Sequence, residues 1–282
     1  MDNKTQIINN KRMPTESSLP ATVRRERIVE LVEERGFVRV ADLSDRFGIS
    51  EVTLRADLDA LAKESLVYRI HGGATAARSG AKLAAEKPFE QTAQTWAAQK
   101  RDIGAAAAAL VESGQTIILD VGTTTSAIGA ALAAREDLTD VVVVTSALNI
   151  AVALERVIPR FTVIVTGGTL RPLQHSLVDP LAGAVLGQIR ADIAFIGCSG
   201  VDDVSGITNV NLPEADIKRR MLAAAARGIV VADASKLGVT QHSRVASLED
   251  IHGLITSGDA EPAYLERLRA TGLGVTVAQP AA

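Results

Sequence analysis

The 282-residue chain is short of several things that usually steer a reading. It has one cysteine, Cys198, which excludes an internal disulfide and a cysteine-based zinc site and suits a reducing compartment. Cys198 lies in Ala-Phe-Ile-Gly-Cys-Ser-Gly and reads as a small packed residue rather than a reactive thiol. Aromatic residues are 3 % against 47 % hydrophobic in total, so the cores must be aliphatic and alanine-rich. That composition suits helices packed on parallel strands better than an aromatic β-sandwich. No apolar stretch approaches the ~18 residues of a membrane span, and the N-terminus has no signal-peptide pattern, so a cytoplasmic location is expected. Positive charge is not in excess either: the net charge is −3, divided as +1 over residues 1–80 and −4 beyond. No overall basic field draws the chain to a polyanion. No metal, cofactor or catalytic residue is assigned.

What is present begins at Val40-Ala-Asp-Leu-Ser-Asp-Arg-Phe-Gly-Ile-Ser-Glu-Val-Thr-Leu-Arg-Ala-Asp-Leu-Asp-Ala60. This reads as an amphipathic helix, a glycine turn at Gly48 and a second helix capped by Ser50. Leu43, Phe47, Ile49, Leu54, Leu58 and Leu61 supply the apolar contacts. Glu51, Val52, Thr53 and Arg55 fall in the first turns of the second helix, where a helix-turn-helix protein meets base edges and phosphates. An ordinary helical hairpin is the alternative. The neighbours favour DNA. Val23–Arg35 predicts a helix opened by Thr22 and closed by Gly36, with Ile28, Leu31 and Val32 on one face, and Phe37–Val40 predicts a strand. Leu66–Gly73 predicts a strand running into a glycine turn, which completes a winged helix. Arg39, Arg69 and His71 stand where a wing touches the sugar-phosphate backbone. Arg24, Arg25, Arg27 and Arg46 complete an arginine set that solvated charge explains equally well for Arg24, Arg27 and Arg46.

The first 21 residues read as a disordered tail, residues 22–76 as the winged helix and residues 77–88 as a linker, whose texture begins near Ala74. Residues 89–282 form a second domain. A long helix is expected over Phe89–Val111. Apolar β-branched runs then follow at Thr116–Leu119, Val141–Val144, Phe161–Val165, Ile193–Ile196, Gly228–Val231, Gly253–Ile255 and Gly274–Val277. Helices are expected between them at Thr124–Ala134, Ala147–Val157, Leu212–Arg227 and Pro262–Ala270. Strands buried on both faces alternating with helices define a doubly wound, mostly parallel α/β domain with ligands at the C-terminal strand ends.

Those ends carry small polar and charged groups. Asp120-Val-Gly122-Thr123-Thr124-Thr125 runs straight into a helix, offering amides, hydroxyls and the positive end of a dipole to a phosphate. Thr166-Gly167-Gly168 with Arg171, Ser199-Gly200 with Asp202, and Asp233-Ala-Ser-Lys236 follow other strands. Together they describe an anionic, hydroxylated ligand: amides for phosphate, Lys236 or Arg171 for its charge, and Asp120 and Asp202 for hydroxyls. Purely structural turns are the alternative.

The segment from Arg25-Glu-Arg-Ile28 through Ser50–Leu58 to Tyr68-Arg-Ile-His-Gly-Gly-Ala74 resembles the DNA-binding domain of DeoR-family transcriptional regulators. Leu119–Thr125, Thr166–Arg171, Ala191–Gly197, Ser199–Asp202 and Asp233–Lys236 resemble the sensor of the same family. The resemblance covers about residues 22–260. It implies a bacterial regulator, most often a repressor of carbohydrate-use genes. Because one winged helix reads too little sequence to find a promoter, a dimer or tetramer on repeated half-sites of operator DNA is expected. The resemblance also implies a sensor related to ribose-phosphate isomerase that answers to a phosphorylated sugar. Four positions depart from the pattern: Ala56 for a second arginine, Ser65 for glycine, Ser146 for asparagine and Asp179 for glycine. Two other classes compete. One is an isomerase with a DNA-binding appendage, using Asp202 as base and Lys236 as anchor, though the chain lacks a Lys-Gly-x-Gly-Gly segment. The other is a nucleoid or oligomerisation protein without a ligand.

Overall fold

The computed structural model describes residues 20–35, 37–63, 66–70, 73–76, 86 and 88–280, with only the backbone at 33–35, 37, 39, 68–70, 73, 75 and 76. Residues 1–19 of the expected tail, Gly36, Ser65, His71, Gly72 and most of the expected linker lie outside these residues, while Ala21, the last of the expected tail, begins a helix. The chain divides into two compact units between Lys82 and Leu83.

In the first unit, α1 (Ala21–Arg35), β1 (Phe37–Arg39), α2 (Val40–Phe47) and α3 (Glu51–Lys63) precede β2 (Val67–Ile70) and β3 (Gly73–Ala76). The three strands form an antiparallel sheet in the order β1-β3-β2. Ile28, Leu31, Val32, Leu43, Phe47, Leu54, Leu58 and Leu61 are buried in one core, with Ile49 packed against it. Gly48 takes φ +62°, and the Ser50 hydroxyl accepts from the Thr53 amide at 3.2 Å. Thr22 does not open α1, which begins at Ala21 directly after Pro20. Ala74 to Ala76 belong to β3 rather than to a linker, because they pair with Val38 and Phe37 on one side and with Val67 to Arg69 on the other.

The second unit is built on a parallel sheet of β4 (Thr116–Leu119), β5 (Val141–Thr145), β6 (Phe161–Val165), β9 (Ala191–Gly197), β12 (Ala225–Ala232), β14 (Gly253–Thr256) and β15 (Val275–Val277). Their spatial order is β15-β14-β12-β9-β4-β5-β6. All seven expected strands are present, and α6 (Thr123–Ala134), α7 (Leu148–Leu154) and α10 (Pro262–Ala270) lie where helices were expected. The chain also builds a hairpin of β7 (Thr169–Arg171) and β8 (Ser176–Val178), a helix α8 (Leu181–Leu186), and a small antiparallel sheet of β10 (Gly200–Asp202), β11 (Gly206–Asn209) and β13 (Ser243–Ala246). These short elements carry no long apolar run to announce them.

Two expected helices differ. Phe89–Val111 is not continuous: α4 (Phe89–Gln94) and α5 (Ala97–Ala108) meet at Trp96, which is left-handed at φ +58°. The Nζ of Lys100 takes the carbonyls of Thr92 (2.6 Å) and Thr95 (2.7 Å), so a buried cation closes the C-terminal end of α4. The second is α9 (Leu212–Ala223), which stops before Arg227. The run Ala223–Ala226 has helix propensity, but Ala225 and Arg227 pair with Ala191 and Ile193 of β9. Sheet pairing overrides propensity there.

The strand order reverses between β4 and β9. β4, β5 and β6 proceed to one side, and β9, β12, β14 and β15 to the other. In doubly wound sheets the crevice outside the carboxyl ends of the strands opens at such a reversal.

Candidate functional site

On α3, Leu54, Asp57, Leu58 and Leu61 face the core. Val52, Thr53, Arg55 and Ala56 are exposed, and Val52, at 72 % exposure, is a large aliphatic side chain turned to solvent at the start of a helix. Arg55 forms an ion pair with Glu51 one turn earlier, and the Thr53 and Ser50 hydroxyls lie 3.0 Å apart. Ser50, Glu51, Val52, Thr53 and Arg55 therefore gather on one end of one helix. Arg24 and Arg25 do something else. Their Nε atoms donate to Asp57 at 2.7 and 2.9 Å, which gives the buried carboxylate two cations. Arg27 pairs with Glu30 along α1. The side chains of Arg39 and Arg69, and all of His71, lie outside the described residues.

At the reversal, Asp120 follows β4 and is fully buried. It accepts from the Gly197 amide at 2.9 Å, its Oδ2 pairs with Lys218 of α9, and its Oδ1 has no partner among the described residues. Burial pushes the Asp120 carboxyl above the ordinary carboxylate range against the pull of Lys218. Burial acts to lower the Lys218 ammonium, but the negative charges of Asp120 and Glu214 outweigh it and hold the group above its usual value. Gly122 then takes φ +138° and offers no side chain to cap α6. The first amides of α6 therefore present donors that the helix itself cannot satisfy. The hydroxyls of Thr125 and Ser126 turn back to the Gly122 carbonyl at 2.9 and 2.8 Å, and Thr125 is completely buried. Thr123 is half-buried at the outer edge of this junction, whereas Thr124 is buried.

At the end of β12, Asp233 caps a short turn over Ala234–Lys236. The Ala234 amide bonds the Ser257 hydroxyl beyond β14 at 3.0 Å, tying two strand ends together. Lys100 of α5 feels the charges of both Asp233 and Lys236, though burial is the larger influence and lowers its ammonium below the usual value. Lys236 is half-buried in the turn that follows β12, the strand two places from β4, which leads to Gly122.

The remaining expected residues separate. Arg171 on β7 pairs with Glu214, the third residue of α9, and with Glu86, so its charge is met by two carboxylates of the chain. Gly168 lets the backbone approach β8: a Cβ there would lie 2.1 Å from the Val178 carbonyl oxygen. Gly167, at φ +69°, serves the same turn. Gly200 lies in β10 against Val239, whose carbonyl oxygen an added Cβ would meet at 2.1 Å. Asp202 spends its carboxylate on its own hairpin, accepting from the Val204 and Ser205 amides at 3.1 and 2.7 Å. The strand ends thus bring together Asp120, Gly122 and Thr123–Thr125, with Lys236 in the turn after β12, whereas Gly168 serves a close approach to β8, Gly200 lies in β10, and Asp202 Oδ1 is bound by its own turn. Cys198 has its thiol pushed up to about 12 by burial.

Sequence reasoning missed Lys218, Glu214, Lys100 and Glu86. A signal existed for two of them. Glu214, Lys218 and Met221 recur at helical spacing on the buried stripe of α9, so charges interrupt an apolar face.

Residues 24–79 match the DeoR-like helix-turn-helix domain, and residues 96–258 match the DeoR C terminal sensor domain. The chain belongs to the DeoR family of transcriptional regulators. It is 34 % identical to the uncharacterized HTH-type transcriptional regulator YulB of Bacillus subtilis (strain 168), over 90 % of this chain and 95 % of that one. It is 35 % identical to the HTH-type transcriptional regulator GlpR of Haloferax volcanii, over 91 % and 97 %. It is 30 % identical to the glycerol-3-phosphate regulon repressor of Escherichia coli (strain K12), over 86 % and 92 %. Among the described residues, no helix is long and apolar enough to cross a membrane.

Proposed function

We propose that the chain is a cytoplasmic repressor of carbohydrate-metabolism genes whose hold on operator DNA is set by a phosphorylated sugar. Residues 22–76 bind DNA and residues 89–282 sense the ligand, with residues 77–88 between them. Ser50, Glu51, Val52, Thr53 and Arg55 enter the major groove, and Arg39, Arg69 and His71 hold the backbone. One winged helix reads too few base pairs to find a promoter, so the protein acts as a dimer or tetramer on repeated half-sites. The glycerol-3-phosphate regulon repressor, by its name, answers for a phosphorylated polyol regulon, which is the ligand class this reading adopts.

The observation that carries the reading is the α6 N-terminus without a side-chain cap at the strand reversal, with Lys236 at a nearby strand end. A phosphate on the amides of Thr123 to Thr125 gains from donors and dipole, and Lys236 balances its charge. Binding is not followed by turnover. Asp202, the base an isomerase would need, has its Oδ1 bound by two amides of its own turn, and the chain lacks the Lys-Gly-x-Gly-Gly segment of such an enzyme. Ligand binding releases operator DNA, with a coupling of about 1–3 kcal/mol between the two sites.

Calorimetry with glycerol 3-phosphate, ribose 5-phosphate and glucose 6-phosphate tests this, on wild type and Lys236→Glu. At least one should bind wild type and fail to bind the variant, and the same compound should loosen operator binding of wild type only. Equal binding to both proteins would remove Lys236 from the site. Conversion of a bound pentose phosphate would favour the enzyme reading.

A further inference from the structure

Glu86 and Arg171 meet almost side by side. The Arg171 Nη2 lies 2.6 Å from Glu86 Oε2, with Nη1 3.5 Å from Oε1, in the two-pronged manner in which guanidinium groups hold bound carboxylates and phosphates. Both side chains are about one-fifth exposed. Behind them Glu214 is fully provided for: it pairs with Arg171, accepts the Ser176 hydroxyl at 2.6 Å, and feels the charge of Lys218. Arg171 is therefore held in place from behind by Glu214, and Glu86 is bound to its outer side. Glu86 follows β3 by ten residues of sequence and precedes α4.

We infer that Arg171 is an anion subsite which the chain fills with its own Glu86, and that a second anionic group of the effector, apart from the phosphate held on the α6 amides, takes the place of that carboxylate. The inference rests on the reading that the second unit binds a phosphorylated sugar. Charge balance gives the reason. Asp120, Glu214 and Glu86 already face Lys218 and Arg171, so a further anion entering beside them is repelled, whereas an exchange for Glu86 leaves the local charge unaltered for a carboxylate and adds at most about one negative charge for a phosphate. The hairpin that carries Arg171 holds the same stretch of chain at two further points. His175 Nε2 lies 2.9 Å from Glu90 Oε1, and its ring stands edge-on to Phe89 at 5.5 Å. Displacing Glu86 therefore loosens the start of α4, at the sequence position where the sensing unit begins. The ligand and Glu86 exclude each other, so whatever removes the Glu86 charge tightens ligand binding.

The test is calorimetry of the full chain with the same three sugar phosphates, with 6-phosphogluconate and fructose 1,6-bisphosphate, which carry a second anionic group, and with inorganic phosphate, on wild type, Glu86→Gln and Glu90→Gln. Glu86→Gln should bind the responsive compound about tenfold more tightly than wild type, the scale of one partly desolvated ion pair. Operator release should then need correspondingly less of it. Glu90→Gln, which breaks the neighbouring contact without touching Arg171, should bind as wild type does. If wild type shows no response but Glu86→Gln binds a sugar phosphate, the subsite is confirmed as one that its own carboxylate blocks. Equal affinity of wild type and Glu86→Gln overturns the inference while the sugar-phosphate reading stands. So does an equal gain in Glu90→Gln, which would mark general loosening. If no compound binds any of the three proteins, both the reading and the inference fall.

Discussion

The Nε of Arg24 lies 2.7 Å from Oδ2 of Asp57, which fastens the first helix of the DNA-binding unit to the third. Asp57 sits on the inner face of the helix that carries Thr53 and Arg55, so this pair sets the angle at which that helix is presented. Arg25 supplies a second bond at 2.9 Å to the other carboxylate oxygen. The Asp57 side chain is 3 % exposed, and Arg25 keeps 35 % exposure.

Asp57→Ala should leave two cations facing an apolar helix junction. Breaking a buried pair costs about 3–5 kcal/mol, and the water around Arg25 reduces this here to about 2–4 kcal/mol. Urea unfolding of the full chain should show the loss in the transition of the DNA-binding unit, with operator binding weakened in parallel. Asp57→Ala with wild-type stability would mean that the Arg24 and Arg25 bonds are solvated contacts of no weight.

Arg55→Ala should weaken operator binding by about 1–3 kcal/mol if Arg55 reads a guanine, and more so for the operator than for unrelated DNA. If Arg55 neutralises a phosphate, the loss should be uniform across sequences and the salt slope should fall by about one. Its ion pair with Glu51 is exposed and easily exchanged. Fluorescence anisotropy at several salt concentrations distinguishes the two, and an unchanged affinity removes Arg55 from the interface.

Much of this was legible in the sequence because the signals are local. Seven apolar runs appeared as seven parallel strands, and the Gly48–Ser50 turn appeared as a capped helix junction. What could not be read depends on partners far apart in the chain. Asp120 meets Lys218, and Arg171 meets Glu86, at separations no periodicity can report. The small sheet β10-β11-β13 escaped because its strands are three or four residues long and two of them begin with glycine. Asp202 shows a limit of a different kind: a carboxylate after a strand looks the same in sequence whether it awaits a ligand or, as its Oδ1 does, accepts the amides of its own turn.

Lys218→Met should strand the Asp120 carboxylate in the interior and cost about 3–5 kcal/mol near neutral pH. The pH dependence has a definite sign. Burial already raises the Asp120 carboxyl, and removing Lys218 raises it further, so the protonated form favours the folded state. The stability deficit of the variant should therefore grow as pH rises through the folded-state value, level off above it, and shrink as pH falls below it toward the ordinary carboxylate range. Thermal unfolding of both proteins at pH 5.5 and 7.5 checks this. A deficit equal at both values would show that Asp120 is not the group left without its partner.

Gly122→Ala tests the α6 junction through backbone conformation rather than crowding. A Cβ there would meet only the Thr125 hydroxyl, at 3.5 Å, but φ +138° is a conformation L residues rarely adopt. The strain is on the order of 1–3 kcal/mol and bears on the loop that aims the α6 amides. Sugar-phosphate binding by calorimetry should fall at least tenfold while operator affinity stays near wild type. Undiminished ligand binding would place the phosphate elsewhere.

Trp96 is the only tryptophan in the chain, and it occupies the left-handed joint between α4 and α5. Its carbonyl accepts the Lys100 amide at 3.0 Å, and Lys100 in turn feels Asp233 and Lys236 at the end of β12. The indole is partly open to solvent, so its emission colour and quenching by iodide report the polarity and access of that joint. The protein thus carries a native optical reporter within one side chain of its proposed ligand site. Any rearrangement of the Lys100 contacts can be followed by intrinsic fluorescence in the unlabelled, wild-type protein, in the presence of operator DNA, on the millisecond scale of a stopped-flow experiment.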